Sequence, residues 1–455
     1  MDHMLAWLCL LMTAGLAAYM LKQASSGKWP LFSIRNVFLA GVVIFQLTSA
    51  AMAYFTGNFG ELPLSDPTGS GYKYLLILSA FLVLFLSFYE SNWFTFKIHN
   101  RVNPGVAPSE PALALLAVGC LIAAAVLRLV LIYVPVFGVL AQIMAFGMAA
   151  MAAGTAAWVW ARRPANPAYA LLLVAMFLGA SGLVLYQAFG RREVLSVIIA
   201  ILWGAYYGRF RLVSLYRAAV PLTVLAMVGF LLVSAFTATR SADKNVPITQ
   251  TLMRMADADI KQGAFLLVAQ DAPNCSLWLL ENRPNPFAYN TLHSLKYAIV
   301  HPMPRKFWQN KPNSLGAEMV TQAILSERSE GFTFGPGLVG HLINDNPWLS
   351  VPIYAAIIAA GLRILDNLIR RFPTHPIVIL PIGVAMGEII AMPRGELGAF
   401  AFRALVSILT AYFGAKIVSK IMIAFGFRSD PDAVEAVPLA PLHEQYDAAE
   451  SYEQA

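Results

Sequence analysis

A stretch of basic residues without acidic neighbours lies in the second half of the chain. Between Asn282 and Ala317 there is no Asp or Glu, and the stretch carries five cationic side chains: Arg283, Lys296, Arg305, Lys306 and Lys311. The guanidinium group of an arginine can donate two parallel hydrogen bonds to a phosphate or a carboxylate. The pattern therefore predicts an anion-binding site, although a solvated face or a surface resting on anionic lipid headgroups would have the same composition.

Two other arginines, Arg128 and Arg403, fall inside apolar stretches of the sequence. A charge within the hydrocarbon region of a membrane is costly and commonly marks a functional site. Both arginines therefore join the predicted substrate-binding residues. The alternative is a structural ion pair, for which Glu388, itself within an apolar stretch, is the candidate partner.

His341 is the leading candidate for a general base. It ends a run, beginning at Phe332, whose three glycines and one proline predict a tight, fixed backbone. The ordinary pKa of histidine lies near neutrality, which suits proton transfer at physiological pH. A capping or packing role for His341 is the alternative, and Glu388 and Glu330 are less favoured candidates for the base.

Several familiar chemistries have no sequence signature here. The chain contains no Gly-x-x-x-x-Gly-Lys-Ser/Thr loop, no His-Glu-x-x-His helix and no Gly-x-Ser-x-Gly elbow. Its three cysteines, Cys9, Cys120 and Cys275, are far apart, which supports neither a disulfide framework nor a Cys-ligated metal site. Asp or Glu ligands for Mg²⁺ leave only weak traces in a sequence. We predict no cofactor and name no metal-binding residue.

The elements that must position these residues are membrane-spanning helices. Of the 455 residues, 58% are hydrophobic and only 13% are charged, about half the charged fraction that is usual in soluble domains. A helix needs about 20 apolar residues to cross the hydrocarbon core of a bilayer. Eleven windows approach this length, at 4–21, 36–55, 73–92, 111–132, 137–160, 167–188, 194–208, 218–238, 347–366, 375–393 and 398–420.

The Lys and Arg residues between these windows predict the orientation of the chain. Alternate connections on one side hold sixteen of them, whereas the short connections on the other side hold four: Lys73, Arg191, Arg192 and Arg394. Cytoplasmic connections are enriched in basic residues, so we predict an extracytoplasmic N-terminus and a cytoplasmic C-terminus. The three arginines of the sparse set then lie on the side that normally lacks positive charge, and they become candidate site residues.

The predicted fold is an all-α, polytopic membrane protein. It has four parts: transmembrane helices 1–8 (residues 1–238), one large, mainly helical extracytoplasmic loop (239–346), transmembrane helices 9–11 (347–427) and an acidic, disordered cytoplasmic tail (428–455). Periodic apolar positions in the loop predict helices near 247–262, 288–300 and 314–326. The net charge of +7 is explained by membrane-flanking residues, so nucleic acid is not an expected partner.

Two runs in the loop resemble a known family. The run from His301 to Pro312 contains Pro-Arg-x-x-Trp-x-x-Lys-Pro, and it is followed by Phe334-Gly-Pro-Gly-Leu-Val-Gly-His341 and by Asn344. With the arrangement of apolar windows, this resembles the outer-loop pattern of bacterial oligosaccharide repeat-unit (O-antigen) polymerases. Members of that family commonly have Gly-Glu where this chain has Gly340-His341. A role of that carboxylate would pass to His341 or be lost.

The resemblance implies a membrane glycosyltransferase at the outer face of the bacterial inner membrane. Such an enzyme joins repeat units carried on polyprenyl pyrophosphate into O-antigen, capsule or exopolysaccharide. Arg305, Trp308 and Lys311 match the basic-aromatic motif of the family, and Arg394 matches an arginine after the penultimate helix. The predicted catalytic residues are therefore His341, Arg305 and Arg394. The predicted substrate-binding residues are Arg128, Arg191, Arg192, Lys306, Trp308, Lys311 and Arg403.

The expected partners are a polyprenyl-pyrophosphate-linked oligosaccharide, the lipid bilayer, and a chain-length regulator or flippase of the same pathway. An O-antigen ligase has similar chemistry, and the sequence does not separate it from a polymerase. A transporter or flippase for a lipid-linked or anionic substrate would use the same arginines for binding alone. A structural subunit of a polysaccharide secretion complex is a further alternative.

Overall fold

The computed structural model describes residues 3–91, 102, 104–105, 107–134, 137–186, 191–212, 215–239, 248–268, 271–323 and 333–424. Every element in this part of the chain is a helix. The predicted tail at 428–455 lies outside the described residues. Buried apolar side chains from the whole length of the described chain form one hydrophobic core.

Eighteen helices are described here in chain order. They are α1 (His3–Ser25), α2 (Ile34–Thr56), α3 (Pro67–Glu90), α4 (Glu110–Leu129), α5 (Gly138–Arg162), α6 (Pro167–Leu185), α7 (Arg191–Gly208), α8 (Leu215–Thr239), α9 (Ile248–Ala256), α10 (Ile260–Val268), α11 (Ala272–Asn282), α12 (His293–Val300), α13 (Leu315–Gln322), α14 (Gly337–Asn344), α15 (Pro347–Arg371), α16 (Pro376–Gly383), α17 (Met386–Ala391) and α18 (Leu397–Ala424).

Eight of these helices, α1 to α6, α15 and α18, are long and apolar enough to cross a membrane. The predicted all-helical, multi-pass membrane architecture is thereby confirmed in its general form. Shorter apolar helices occupy Glu193–Gly208, Thr223–Thr239 and Pro376–Ala391. These three segments coincide with the remaining windows of the sequence analysis.

Local sequence explains where the long helices begin. The Asp66 side chain accepts a hydrogen bond from the Gly69 amide at 2.8 Å, and Pro67 occupies the first turn of α3. Ser33 caps α2 in the same way by accepting from the Asn36 amide at 3.2 Å. Such caps satisfy amide groups that have no partner inside the helix. They define the ends of helices whose apolar composition alone gives no sharp boundary.

Helix α2 contains a π-helical segment, Val43–Thr48, near its middle. Its fully buried Gln46 accepts a 2.6 Å hydrogen bond from the Tyr74 hydroxyl of α3 and donates to the carbonyl oxygen of Pro393. Single π turns are frequent at functional sites. Here the π turn carries an amide side chain that ties two helices to the turn between α17 and α18.

Small residues allow close packing of α5 against α7. A Cβ atom placed on Gly204 would lie 2.1 Å from the carbonyl oxygen of Gly154, so the two helix backbones are in contact there. Close approach at small residues is a common mode of helix association in membranes. Nearly all of α5 from Ala145 to Ala161 is buried as a result.

The helices of the large loop differ in detail from the predictions. The helix expected at 247–262 is two helices, α9 and α10, because Asp259 accepts hydrogen bonds from the amides of Lys261 and Gln262 and starts a new helix. The predicted helices at 288–300 and 314–326 occur in shorter form as α12 and α13. Helices α11 and α14 were not predicted.

Helices α11 and α14 are buried among the long helices. Every residue of α14 and the first eight residues of α11 are buried. The run that ends at His341, for which a tight, fixed backbone was predicted, turns at Gly337, where φ is +67°, and then forms α14, which carries His341. A Cβ atom on Gly337 would lie within 2.7 Å of Gln46 and of the Pro393 carbonyl, so only glycine fits.

Contacts between connections define two ends of the helix bundle. The amides of Ser65 and Asp66 donate to Glu281 of α11, and the Gly316 amide donates to Glu396. We call this the loop end. At the opposite end, Arg35 of α2 pairs with Glu90 of α3 at 2.8 Å. The large loop is thus packed onto and into the loop end and does not form a detached domain.

Candidate active site

A buried serine–histidine pair lies at the loop end. The Ser294 hydroxyl of α12 is 2.5 Å from Nδ1 of His341 in α14. Both residues are almost completely buried, at 3% and 1% exposure. On the other side of the ring, Nε2 lies 3.2 Å from the donating amide of Leu397 and 3.5 Å from the Glu396 carboxylate. One imidazole therefore connects a hydroxyl group with a carboxylate.

Asp345 holds Ser294 in position. Its carboxylate accepts a hydrogen bond from the Ser294 amide at 2.7 Å and another from the hydroxyl of Tyr354 in α15. The side chain of Asn344 donates to the same carboxylate at 2.8 Å. We call Ser294, His341, Asp345, Tyr354 and Glu396 the Ser294–His341 cluster. It joins α12 and the start of α18 to α14 and α15, which are consecutive in the chain.

An apolar groove of about 570 Å³ ends at this cluster. Its walls come from α15, α16 to α18 and α12, and both Ser294 and Tyr354 line it. From Tyr354 to Leu368, two lining residues of α15, a helix rises about 21 Å. Ile357, Leu405 and Leu409 line the groove and stay exposed, so the groove opens sideways on the apolar outer surface of the bundle.

The pKa values of two buried histidines, His341 of the cluster and the nearby His293, are shifted in opposite directions. Burial lowers the pKa of His341, and the nearby carboxylates of Glu396 and Asp345 only partly oppose this shift. Burial also disfavours the charged form of His293, but the Glu318 carboxylate, 3.4 Å away, outweighs it and raises the pKa of His293. At neutral pH, His341 is consequently a neutral base next to a more cationic histidine.

This difference predicts a pH-dependent stability. The ion pair of His293 stabilises the fold below the ordinary histidine pKa of about 6.5 and is lost as the pH rises through the raised pKa. We expect His293→Gln to destabilise the protein by up to about 1 kcal/mol at pH 6 and by less at pH 8. Thermal unfolding at the two pH values measures the difference. Glu318→Gln should show the same trend, and a larger effect at pH 8 would contradict the assignment.

The predicted basic-aromatic motif forms a surface loop beside α12. Arg305 donates to the carbonyl oxygen of Lys311 and to the Asn313 side chain, and Lys311 donates to the carbonyl oxygens of His301 and Met303 at 2.7 and 2.9 Å. These contacts hold the loop in shape. Burial raises the pKa of Tyr297 to about 12, Glu396 raises it further and Arg305 opposes the shift, so Arg305 and Glu396 both lie near Tyr297.

Lys306 and Trp308 point away from the core of the protein. Both are exposed, as is Phe307 between them. The Lys306 and Trp308 side chains are not packed against the protein interior, so they are available to a ligand or to lipid headgroups. Exposed aromatic residues are also enriched where a protein meets the membrane–water interface.

Arg394 lies in the turn between α17 and α18, two residues before Glu396 of the cluster. It is partly buried, and its guanidinium group is 6.0 Å from the centre of the Phe45 ring in α2. Of the three predicted catalytic residues, His341 belongs to the cluster, Arg394 adjoins it in the chain, and Arg305 lies on the surface loop.

Arg128 and Arg403 lie near Glu193, away from the Ser294–His341 cluster. Arg403 pairs with Glu193 at 3.9 Å, and both line a small cavity that also includes Glu388. Arg128 donates to the Tyr186 carbonyl at 2.6 Å and interacts electrostatically with Glu193. Arg403 and the groove-lining Ala404 lie on different faces of α18. Among the predicted arginines with described side chains, Arg403 lines this small cavity, whereas Arg305 and Arg394 do not. Arg191 and Arg192 begin α7, and their side chains lie outside the described residues.

Ser294, Asp345, Tyr354 and Glu396 were not among the residues predicted from the sequence. One signal was available, because Asp345 follows His341 by four residues and such a pair shares a helix face. Ser294 had no such signal. Within the described residues, no group of three or more His, Cys, Asp or Glu side chains is placed to hold a metal ion.

Comparisons with known proteins reveal no relative: no protein-family model matches the chain, and no curated protein or solved structure is significantly similar to it.

Proposed function

We propose that this protein transfers a glycan from a polyprenyl pyrophosphate carrier to a second lipid-linked saccharide, as an oligosaccharide repeat-unit polymerase does. The observation that carries the proposal is the apolar groove that ends at the Ser294–His341 cluster. Ser294 and Tyr354 line the end of the groove, and their hydroxyl groups form hydrogen bonds with His341 and Asp345. An apolar carrier with a polar reacting head needs such a pairing of groove and cluster.

The groove suits an isoprenoid chain. Its lining is almost wholly apolar, and its open side faces the surface that contacts lipid. A carrier could thus enter sideways without leaving the bilayer, with its hydrocarbon along α15 and α18. Its head would then lie at Ser294, where α12 closes the groove.

The cluster supplies a base for the acceptor. In the proposed reaction the acceptor hydroxyl attacks the anomeric carbon of the donor, and the bond from that carbon to the pyrophosphate oxygen breaks. The hydroxyl proton passes through Ser294 to Nδ1 of His341, whose lowered pKa keeps the ring neutral before the reaction. For Nδ1 to accept this proton, the neutral ring carries its hydrogen on Nε2 and directs it at Glu396, in place of the hydrogen bond that Nε2 accepts from the Leu397 amide. Glu396, at 3.5 Å, stabilises the imidazolium that forms. This carboxylate compensates for the Gly-Glu carboxylate that the chain lacks at His341.

Cationic side chains stabilise the departing pyrophosphate in this proposal. The candidates are Arg394, two residues before Glu396 in the chain, and Arg305, whose charge acts on Tyr297 of α12. Positive charge placed where negative charge develops lowers the barrier to the reaction. Lys306, Trp308 and Lys311 then belong to the approach for the saccharide, whereas Arg128 and Arg403 have a structural role around Glu193.

We also propose eleven membrane crossings with an extracytoplasmic loop end. The contacts that support this arrangement each join two segments expected on the same side of the membrane. At the end opposite to the loop end, Arg163 pairs with Glu110 at 2.6 Å, Tyr207 donates to the Phe32 carbonyl and His375 contacts the Gly105 carbonyl. At the loop end, the Asp66 amide donates to Glu281. A bacterial inner membrane is the location that suits a polyprenyl-linked substrate.

Deletion of the gene provides the direct test. We expect the deletion strain to accumulate single repeat units on the lipid carrier, measured as the length profile of carrier-linked and surface glycans. Long chains that remain on the carrier would instead identify an O-antigen ligase. Repeat units trapped at the cytoplasmic face would identify a flippase. A normal profile would overturn the proposal and its alternatives together.

A further inference from the structure

The end of the bundle opposite to the candidate active site holds a second buried polar cluster, built around Trp29. The guanidinium groups of Arg363, Arg370 and Arg35 lie 4.6, 4.9 and 5.4 Å from the centre of the Trp29 indole. Trp29 is 2% exposed and Arg35 is fully buried. We call these four residues the Trp29 cluster. Three cations thus surround one aromatic ring in a largely dry place.

One neighbouring carboxylate, Asp366, is occupied by three other donors. Its Oδ1 atom accepts from the Ile34 amide at 2.8 Å. Its Oδ2 atom accepts from the Arg35 amide at 3.1 Å and from the Tyr89 hydroxyl at 2.5 Å. Asp366 therefore caps the start of α2, and neither Nε nor Nη1 of Arg363 donates to it.

The other carboxylate, Glu90, is used in the same way. Its Oε1 atom accepts from Arg35 at 2.8 Å and from the Tyr19 hydroxyl at 3.1 Å, and its Oε2 atom pairs with Lys28 at 2.8 Å. Glu90 thus neutralises Arg35 and Lys28 only in part, and the cluster keeps an excess of positive charge.

Arg363 packs against the Trp29 and Tyr89 rings, but two of its guanidinium nitrogen atoms lack an acceptor. It is 8% exposed, and its Nε and Nη1 atoms are buried with no hydrogen-bond acceptor among the described residues. The indole Nε1 of Trp29 is buried and lacks an acceptor as well. Buried donors in proteins are nearly always paired. Two adjacent side chains with free donors, in an excess of positive charge, indicate that a negatively charged acceptor completes this cluster.

We propose that the Trp29 cluster binds a phosphate group. The Arg363 guanidinium and the Trp29 indole donate to the phosphate oxygens, and Arg370 and Lys28 add positive charge at the rim. Arginine suits this role, because its planar fork matches the oxygens of a phosphate. The Lys28 side chain is 55% exposed, so the rim reaches the surface. The phosphate belongs either to an anionic phospholipid headgroup or to a free phosphate, since the chemistry of recognition is shared.

The site is separate from the proposed glycan transfer. It lies at the opposite end of α15, since Tyr354 belongs to the Ser294–His341 cluster and Arg363 and Arg370 lie two to four turns further along the helix. Loss of phosphate binding and loss of transfer can therefore be told apart by separate variants.

Thermal unfolding of the full-length protein tests the proposal, because a ligand that binds only the folded state raises the unfolding temperature. The protein is placed in nanodiscs of phosphatidylcholine, with phosphatidylglycerol added in one series and inorganic phosphate in another. We expect at least one series to raise the unfolding temperature of the wild type. An effect of phosphatidylglycerol alone identifies a lipid headgroup, and an effect of inorganic phosphate identifies a free anion.

Two variants locate the binding. We expect Arg363→Gln to weaken binding at least tenfold and Trp29→Phe, which keeps an aromatic ring but loses the donor, to weaken it several-fold. Lys22→Gln, which removes an exposed cation at the end of α1, should bind like the wild type. If Arg363→Gln fails to fold, Trp29→Phe carries the test. No response of the wild type to either ligand, or equal binding by Trp29→Phe and the wild type, overturns the proposal.

Discussion

Replacing His341 by glutamine is expected to slow glycan transfer by about 10²- to 10⁴-fold, the contribution usual for a positioned general base. Glutamine keeps a polar group of similar size near Ser294 but cannot accept the proton. In the wild type, transfer should also fall as the pH decreases through the lowered pKa of His341, because the protonated ring is no base. The variant should lose this acid limb. The measurement is the rate of chain elongation on purified lipid-linked repeat units as a function of pH.

His375→Gln is the matched control for this experiment. His375 is also a buried histidine, at 6% exposure, but it lies at the opposite end of the bundle, where its ring is 3.1 Å from the Gly105 carbonyl oxygen. We expect near-normal transfer by this variant. Equal losses in both variants would indicate a general effect of removing a buried histidine, and normal transfer by His341→Gln would exclude His341 as the base.

Replacing Gly361 by tryptophan is expected to block the groove and to reduce transfer at least tenfold. Gly361 lines the groove near the middle of α15, and a Cβ atom there meets no other atom within 4 Å. A large side chain can therefore enter the groove without a clash, and loss of a helical glycine does not destabilise α15. Because the tryptophan would exclude the carrier from the groove, the KM of Gly361→Trp for the lipid-linked donor should rise. Its rate of transfer should depend on pH as that of the wild type does, because the variant leaves His341 unchanged.

Gly15→Trp provides the comparison. Gly15 is an exposed glycine near the middle of α1, also with no atom within 4 Å of a Cβ position, and it does not line the groove. Gly361→Ala should have a small effect, because one methyl group fills little of the groove. A similar loss in Gly15→Trp and Gly361→Trp would show that bulk on the outer surface, and not occupation of the groove, causes the effect.

Much of the architecture follows from composition and periodicity. Long apolar windows predicted the membrane helices, since a helix that contacts lipid needs apolar residues over its whole length. The same reasoning was weaker for the loop. Helices α11 and α14 were not predicted because they are largely buried, and the polar side chains of α14, His341 and Asn344, face other parts of the protein and not solvent. Asp259 divided one predicted helix into two through a local cap that periodicity does not record.

The candidate site was only partly predictable. His341 was chosen from its place after a glycine-rich run and from its chemistry, but its helical position and its partners were not foreseen. The arginines inside apolar windows were correctly recognised as unusual. The structure, however, places Arg128 and Arg403 beside Glu193 and away from the groove. Charge in a membrane segment demands a partner, and the sequence cannot say whether that partner is a substrate or another helix.

The sequence by itself thus determined an all-helical, multi-pass membrane protein and one candidate base, because apolar length and side-chain chemistry are local properties. Only the tertiary structure brought Ser294, His341 and Glu396 together, across as many as 102 residues of sequence, and joined them to a groove formed by separate helices. It also revealed Arg363 and Trp29 as buried donors without acceptors. Cavities, burial and hydrogen-bond partners arise from packing between distant segments, and no local pattern contains them.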